Sequence, residues 1–169
     1  MQMTELFSAQ LEREVARSRH ALERVPDGLR DFKPHPKSMA FGYLATLVAT
    51  MPAWVAMMIT EDALDLAPKE GSGYKPPSPQ NAAELVAALD DSASRARAAL
   101  AATSDAHLLT RWQLKVAGNV VAEDPRHVVI EDTFTHLAHH RGQLSVYLRL
   151  LGVPVPALYG PSADDARFD

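Results

Sequence analysis

Apolar residues recur every three or four positions in four long segments of the chain, a spacing that places them on one face of an α-helix. These segments cover approximately residues 4–25, 38–59, 81–102 and 125–151. Pro52 lies inside the second segment and should kink that helix, because proline lacks an amide hydrogen and clashes with the preceding turn. The pattern predicts four helices that bury their apolar faces against one another.

The connections between these helices differ in character. Residues 63–79 are rich in glycine, proline and serine, so we expect an irregular exposed connection, long enough to be a crossover or a flap. Residues 105–123 contain the alternating run Leu-Thr-Arg-Trp-Gln-Leu-Lys-Val followed by a Gly-Asn turn, which predicts a short hairpin or two extended arms. The predicted fold is an all-α four-helix bundle, one domain over residues 1–169, with an extended or hairpin insert before the last helix.

Local signals add detail to the predicted helices. Ser38 is the expected N-cap of the second helix and Asn81 begins the third. Glu14 falls off the apolar face of the first helix, so we expect it at the surface. Arg141 falls at the far edge of the apolar face of the last helix, where an ion pair with another helix would explain it.

Composition and charge narrow the function classes. The 169 residues carry a net charge of −4, which disfavours binding to nucleic acid or to anionic membranes. The chain has no cysteine, which excludes disulfides, a thiol nucleophile and thiolate metal ligands, and is compatible with the expected cytoplasmic location. The apolar stretch 39–59 is interrupted by polar residues, glycine and proline, and is interpreted as a buried helix rather than a membrane span.

Three histidines, His136, His139 and His140, lie within five positions of the last helix. At about 100° per residue, His140 falls inside the apolar face, His136 at its margin and His139 outside it. His136 and His140 lie on adjacent turns, at a spacing that allows two imidazoles to chelate one divalent ion. A hydrogen-bonded pair of core histidines without a metal fits the same spacing, so the spacing alone leaves both interpretations open.

Three other side chains of this helix are candidates for a pocket around the histidine pair. Asp132 and Gln143 flank the pair on its polar side. Tyr147 lies on the same face one to two turns later, where its hydroxyl could donate to a bound ligand. Trp112 in the insert could stack on a ligand, but packing of the insert onto the bundle explains it more simply. No nucleophile motif or phosphate-binding loop is present in the sequence.

The run HLAHHRGQLSVYLRLLGVPVPALYGPSADD resembles the C-terminal signature of the DinB/YfiT-like superfamily of metal-dependent bundle proteins. The earlier segment KPHPKSMAFGYLATLVATMPAWV resembles the second helix of that family. The resemblance implies an up-up-down-down four-helix bundle that is frequently a homodimer. It also implies a divalent ion, here zinc or nickel, held by three histidines.

In that family, two of the three histidine ligands lie on the last helix of the bundle. The corresponding residues of this chain are His136 and His140. The third histidine of the family comes from the second helix, and its place in this chain is taken by Leu47. Residues 39–60 contain no histidine, aspartate or glutamate that could replace it. With two protein ligands instead of three, affinity for zinc or nickel should fall by several kcal/mol.

Two functional hypotheses follow. In the first, the protein is a binding or stress-associated homodimer with an incomplete metal pocket near Leu47, Asp132, Gln143 and Tyr147, which holds a small organic ligand or nothing. In the second, it is a divalent-metal-dependent thiol S-transferase or hydrolase, with the metal activating a thiol or water. The leucine at position 47 favours the first hypothesis, and the retained histidine pair favours the second.

Overall fold

The structure, a computed structural model, describes residues 2–68 and 77–167. The helices that it describes are α1 (Met3–Leu22), α2 (Phe41–Thr50), α3 (Pro52–Thr60), α4 (Ala82–Ala102), α5 (Asp105–Leu108) and α6 (Arg126–Leu150). The strands are β1 (Ala63–Asp65), β2 (Arg111–Val116) and β3 (Asn119–Pro125). With α2 and α3 taken as one bent unit, the long helices are the four that the sequence predicts.

The bend in the second helical unit confirms the prediction at Pro52. The axes of α2 and α3 meet at 50°, and Pro52 is the first residue of α3. Of the helices that the structure describes, none is by itself long and apolar enough to cross a membrane. The bent α2–α3 pair meets that criterion by length and composition only. Most of its residues face the common core instead.

A small sheet corrects the all-α prediction. Strands β2 and β3 form the antiparallel hairpin that the insert predicts, and β1 pairs in parallel with β2, giving the order β1-β2-β3. Strand β1 lies in the segment predicted to be irregular. The Asp65 carboxylate explains its position, because it accepts hydrogen bonds from the amides of Ala117 and Gly118 in the hairpin turn (3.0 and 2.7 Å). The remainder of that predicted connection, residues 69–76, lies outside the described residues.

The start of α2 corrects the prediction of a cap at Ser38. The helix begins at Phe41, and its N-cap is Ala40, two residues after Ser38. Its first amides are satisfied by the preceding loop, since the amide of Phe41 donates to the carbonyl of Phe32 and that of Gly42 to the carbonyl of Arg30 (both 2.9 Å). A tertiary backbone contact therefore replaces the side-chain cap.

A buried ion pair joins the first and last helices. Arg141 is 0% exposed, and it donates from Nη2 to Oε2 of Glu14 at 2.5 Å and from Nη1 to the hydroxyl of Ser18 at 3.1 Å. The expected ion pair of Arg141 with another helix is thus confirmed. The expectation that Glu14 lies at the surface is wrong, because this pairing draws its carboxylate into the interface between α1 and α6.

Candidate ligand cavity and histidine pair

A cavity of about 590 Å³ lies between α3, α6 and the sheet. Its helical walls are formed by side chains spaced three or four residues apart, so that each helix presents one face to the cavity. These residues are Trp54, Met57 and Met58 on α3, and Val129, Asp132, Thr133 and His136 on α6. Apart from Asp132, Thr133 and His136, the helical walls are apolar.

The opposite wall is one face of the sheet. Trp112 and Leu114 of β2 face the cavity, and their cross-strand partners on β3, Asp124 and Ala122, line it as well. Leu64 of β1 pairs with Leu114 and extends the same row. This arrangement follows from the pleat, which points alternate side chains to opposite faces. The hairpin insert therefore closes the cavity on one side.

Both tryptophans of the chain line this cavity. Trp112 is only 4% exposed, which confirms that it packs the insert onto the bundle. Its indole N–H is buried and has no hydrogen-bond acceptor among the residues that the structure describes. Trp54 lies on the helical side, with its ring centroid 5.9 Å from that of His136.

His136 of the histidine pair lines this cavity, whereas His140 is not among its lining residues. The ring centroids of His136 and His140 are 4.5 Å apart. His140 is buried, and its Nδ1 lies 2.9 Å from Oε1 of Gln143. An amide oxygen accepts a hydrogen bond, so Nδ1 of His140 is the donor in this contact. His139 is exposed, as expected from its angular position.

His136 is the more accessible member of the pair and forms part of the cavity wall. Partial burial lowers the pKa of His136, and the charges of His140 and His139 lower it further. The imidazole of His136 is therefore neutral at pH 7, able to accept one hydrogen bond and to donate another.

Two contacts on either side of Leu47 fix its approximate position along α6. The unit α2–α3 runs antiparallel to α6, because the hydroxyl of Tyr147 donates to the carbonyl of Met39 at one end (3.1 Å) and Trp54 contacts His136 at the other. Leu47 is about midway between Met39 and Trp54, and is partly buried against the core. It places an apolar side chain where the resemblance to the family calls for a third imidazole.

The residues present do not fit a three-histidine metal site. Within residues 2–68 and 77–167, no group of three or more His, Cys, Asp or Glu side chains could hold one metal ion. Gln143 supports His140, as noted above, and Asp132 lies in the cavity wall one turn from His136. The hydroxyl of Tyr147 is already bonded to a backbone carbonyl, and neither it nor Leu47 is among the residues that line the cavity.

Sequence reasoning did not identify several residues of the cavity. Trp54 was not singled out, although its spacing from Met57 and Met58 places all three on one helical face. Asp124 was not singled out either. The alternation along the hairpin could have placed it on the same sheet face as Trp112, but only with the strand register known.

The sequence model of the DinB family matches residues 3–167 of this chain. The chain belongs to the DinB family. No significant match was found among curated proteins. The matched residues 3–167 include both segments that resemble the family.

Solved structures of DinB-like proteins share the fold. A DinB-like protein from Bacillus cereus ATCC 10987 superposes with a TM-score of 0.69 at 21% identity, covering 92% of this chain and 97% of that one. A DinB-like protein of Bacillus subtilis, YjoA, gives 0.62 at 16% identity, covering 87% and 92%. A protein of Exiguobacterium sibiricum 255-15, described as a putative member of the family, gives 0.62 at 19% identity, covering 90% and 93%. At these identities the likeness establishes the DinB-like fold alone.

Proposed function

We propose that this DinB-family protein binds a small apolar organic molecule in the cavity between α3, α6 and the sheet. The size and lining of the cavity carry the proposal. Its volume of about 590 Å³ is in the range of small-molecule sites, and such sites combine mostly apolar and aromatic walls with a few polar groups. His136, Asp132 and Asp124 are among the polar groups here.

Apolar burial provides the driving force for such binding. Each methylene group that leaves water contributes about 0.8 kcal/mol, so a body of eight carbons contributes roughly 6 kcal/mol. Part of this is offset by the loss of translational and rotational freedom on association. The two tryptophans and two methionines of the walls provide adaptable contact surfaces for a ligand of this kind.

A bulky side chain inside the cavity should weaken the binding of an apolar ligand, whereas the same side chain outside the cavity should not. N-phenyl-1-naphthylamine, a neutral apolar fluorophore, should accept excitation energy from Trp54 and Trp112 when it occupies the cavity. Ala122→Phe places a phenyl ring on the cavity face of β3, so we expect at least about tenfold weaker binding, equivalent to about 1.4 kcal/mol.

Val121→Phe is the matched control, because it adds a phenyl ring at the neighbouring exposed position, which is not among the residues that line the cavity. This variant should bind the fluorophore like the parent protein. The proposal fails if the parent shows no saturable energy transfer, or if the two variants lose binding equally.

The alternative function is a divalent-metal-dependent thiol S-transferase or hydrolase. The observation that favours it is the pair His136 and His140, with their rings 4.5 Å apart and His140 oriented by Gln143. It is less well supported than ligand binding, because Leu47 stands in place of the third ligand. Stoichiometric zinc or nickel in protein purified without a histidine tag, lost in His136→Ala, would favour this alternative.

We also propose that the protein is a homodimer, as the family resemblance implies, and that it associates through α2 and α6. These helices pack against each other and expose the apolar side chains of Tyr43, Val146 and Leu150 (49%, 56% and 58%). Val146→Glu should convert the dimer to a monomer in sedimentation equilibrium. Leu109→Glu, at an equally exposed leucine outside this pair of helices, should leave it dimeric. A monomeric parent protein would contradict the proposal.

A further inference from the structure

The wall of the cavity that the sheet provides carries a negative charge and no positive one. Asp124 is the direct cross-strand partner of Trp112, and both line the cavity. The basic residues of β2, Arg111 and Lys115, occupy alternate positions and therefore face the other side of the sheet. Glu123 also lines the cavity, but its carboxylate already accepts from Nε2 of Gln113 at 2.5 Å and lies 3.8 Å from Nε of Arg111.

The helical wall adds a second carboxylate, Asp132 of α6, one turn before His136. Neither Asp124 nor Asp132 uses its carboxylate in a hydrogen bond or ion pair with any residue in the described part of the chain. No lysine or arginine occurs among the described residues that line the cavity. Both side chains are exposed and are therefore accessible to a ligand at the cavity.

Aromatic surfaces lie beside these charges. The face of an indole ring attracts cations, and organic ammonium groups are commonly recognised by such rings. Trp112 neighbours Asp124 across the strands, and Trp54 lies on the helix wall that faces them. A cleft with low-dielectric walls and charges of one sign also concentrates the electrostatic potential within it.

From this arrangement we propose that the cavity selects organic cations, molecules with an apolar body and a single ammonium group, over neutral or anionic molecules with the same body. The inference rests on the proposed function and names the class of ligand for that site. The apolar body would occupy the space between the methionines and the leucines, and the ammonium group would lie near Asp124 and Asp132.

Three ligands that share one apolar body test this selectivity: octyltrimethylammonium, octan-1-ol and octanoate. Each is titrated as a competitor of N-phenyl-1-naphthylamine at pH 8, where an ordinary imidazole is neutral and octanoate is ionised. The cation should bind most tightly and octanoate least, with dissociation constants at least about tenfold apart. Raising the ionic strength from roughly 0.05 to 0.5 M should reduce that ratio by screening.

The double variant Asp124→Asn/Asp132→Asn keeps the shape of both side chains and removes both charges. It should bring the cation-to-octanoate ratio down to about threefold or less, with the affinity for octan-1-ol unchanged. Glu131→Gln is the matched control, since it removes one charge at the adjacent position of α6 outside the cavity wall. This control should retain the selectivity of the parent protein.

The outcomes separate the two proposals. Two results would overturn the selectivity proposal and leave the ligand-binding proposal standing. In the first, octan-1-ol competes but the three ligands have equal dissociation constants. In the second, the double variant keeps the cation-to-octanoate ratio of the parent protein. If neither the fluorophore nor any of the three competitors binds, the ligand-binding proposal has failed, and the selectivity proposal with it.

Discussion

Replacing Arg141 with methionine should lower the free energy of unfolding by about 3 kcal/mol, because it removes the fully buried partner of the Glu14 carboxylate, which then keeps only its ion pair with the more exposed Arg17. Arg141 has no exposed surface, and Glu14 is 6% exposed. The guanidinium also donates to the Ser18 hydroxyl, so this position would lose a second contact. Urea denaturation of the parent and the variant, compared at similar m-values, measures the difference.

Two further variants show whether the pairing itself is responsible. Glu14→Leu/Arg141→Met removes both charges and should recover most of the lost stability, because an apolar pair needs no compensation. Arg97→Met interrupts an exposed pair with Glu12 on neighbouring helices and should cost about 1 kcal/mol or less. Equal losses in Arg141→Met and Arg97→Met would show that burial of the Arg141 pair has no special effect on stability.

Introducing histidine at position 47 should create a metal site in this protein. Leu47 lies about midway between Met39 and Trp54, which contact Tyr147 and His136 of α6, and the rings of His136 and His140 are already 4.5 Å apart. A third imidazole would provide the ligand number of known zinc sites with three protein ligands and an open position. We expect the zinc affinity of Leu47→His to exceed that of the parent by at least about a hundredfold, measured by competition with a chromophoric chelator on protein without a histidine tag.

Tyr43→His is the control for this experiment, because it adds an imidazole one turn earlier on the same side of α2 at an exposed position. It should leave zinc affinity at the level of the parent protein. Adding His136→Ala to Leu47→His should remove the gain. If Leu47→His binds zinc no more tightly than Tyr43→His, position 47 does not face the histidine pair.

The sequence predicts those parts of the fold that depend on local physical chemistry. The four helical units follow from apolar spacing, the bend at Pro52 follows from its missing amide hydrogen, and the third helix begins after Asn81, whose side chain accepts from the amide of Glu84 at 2.9 Å. Features that depend on distant residues could not be predicted. Strand β1 exists because it pairs with β2, and Glu14 is buried because Arg141 is its partner.

The candidate site likewise has a part that the sequence predicts and a part that depends on tertiary packing. The histidine pair and Leu47 can be located in the sequence because their spacing is that of a helix and the family signature identifies the positions. The cavity itself could not be predicted, since its walls come from α3, α6 and a sheet whose register places Trp112 opposite Asp124. Tertiary packing, rather than any motif, therefore creates the ligand site proposed for this chain.

If the cavity binds an apolar organic molecule without a metal, removal of metal ions should not change the affinity. This can be measured by calorimetric titration of N-phenyl-1-naphthylamine into tag-free protein, first treated with a chelator and then supplemented with zinc. We expect a single saturable site per chain with the same dissociation constant under both conditions. Binding that disappears with the chelator and returns with zinc, or no binding under either condition, would show that the cavity is not a metal-independent ligand site.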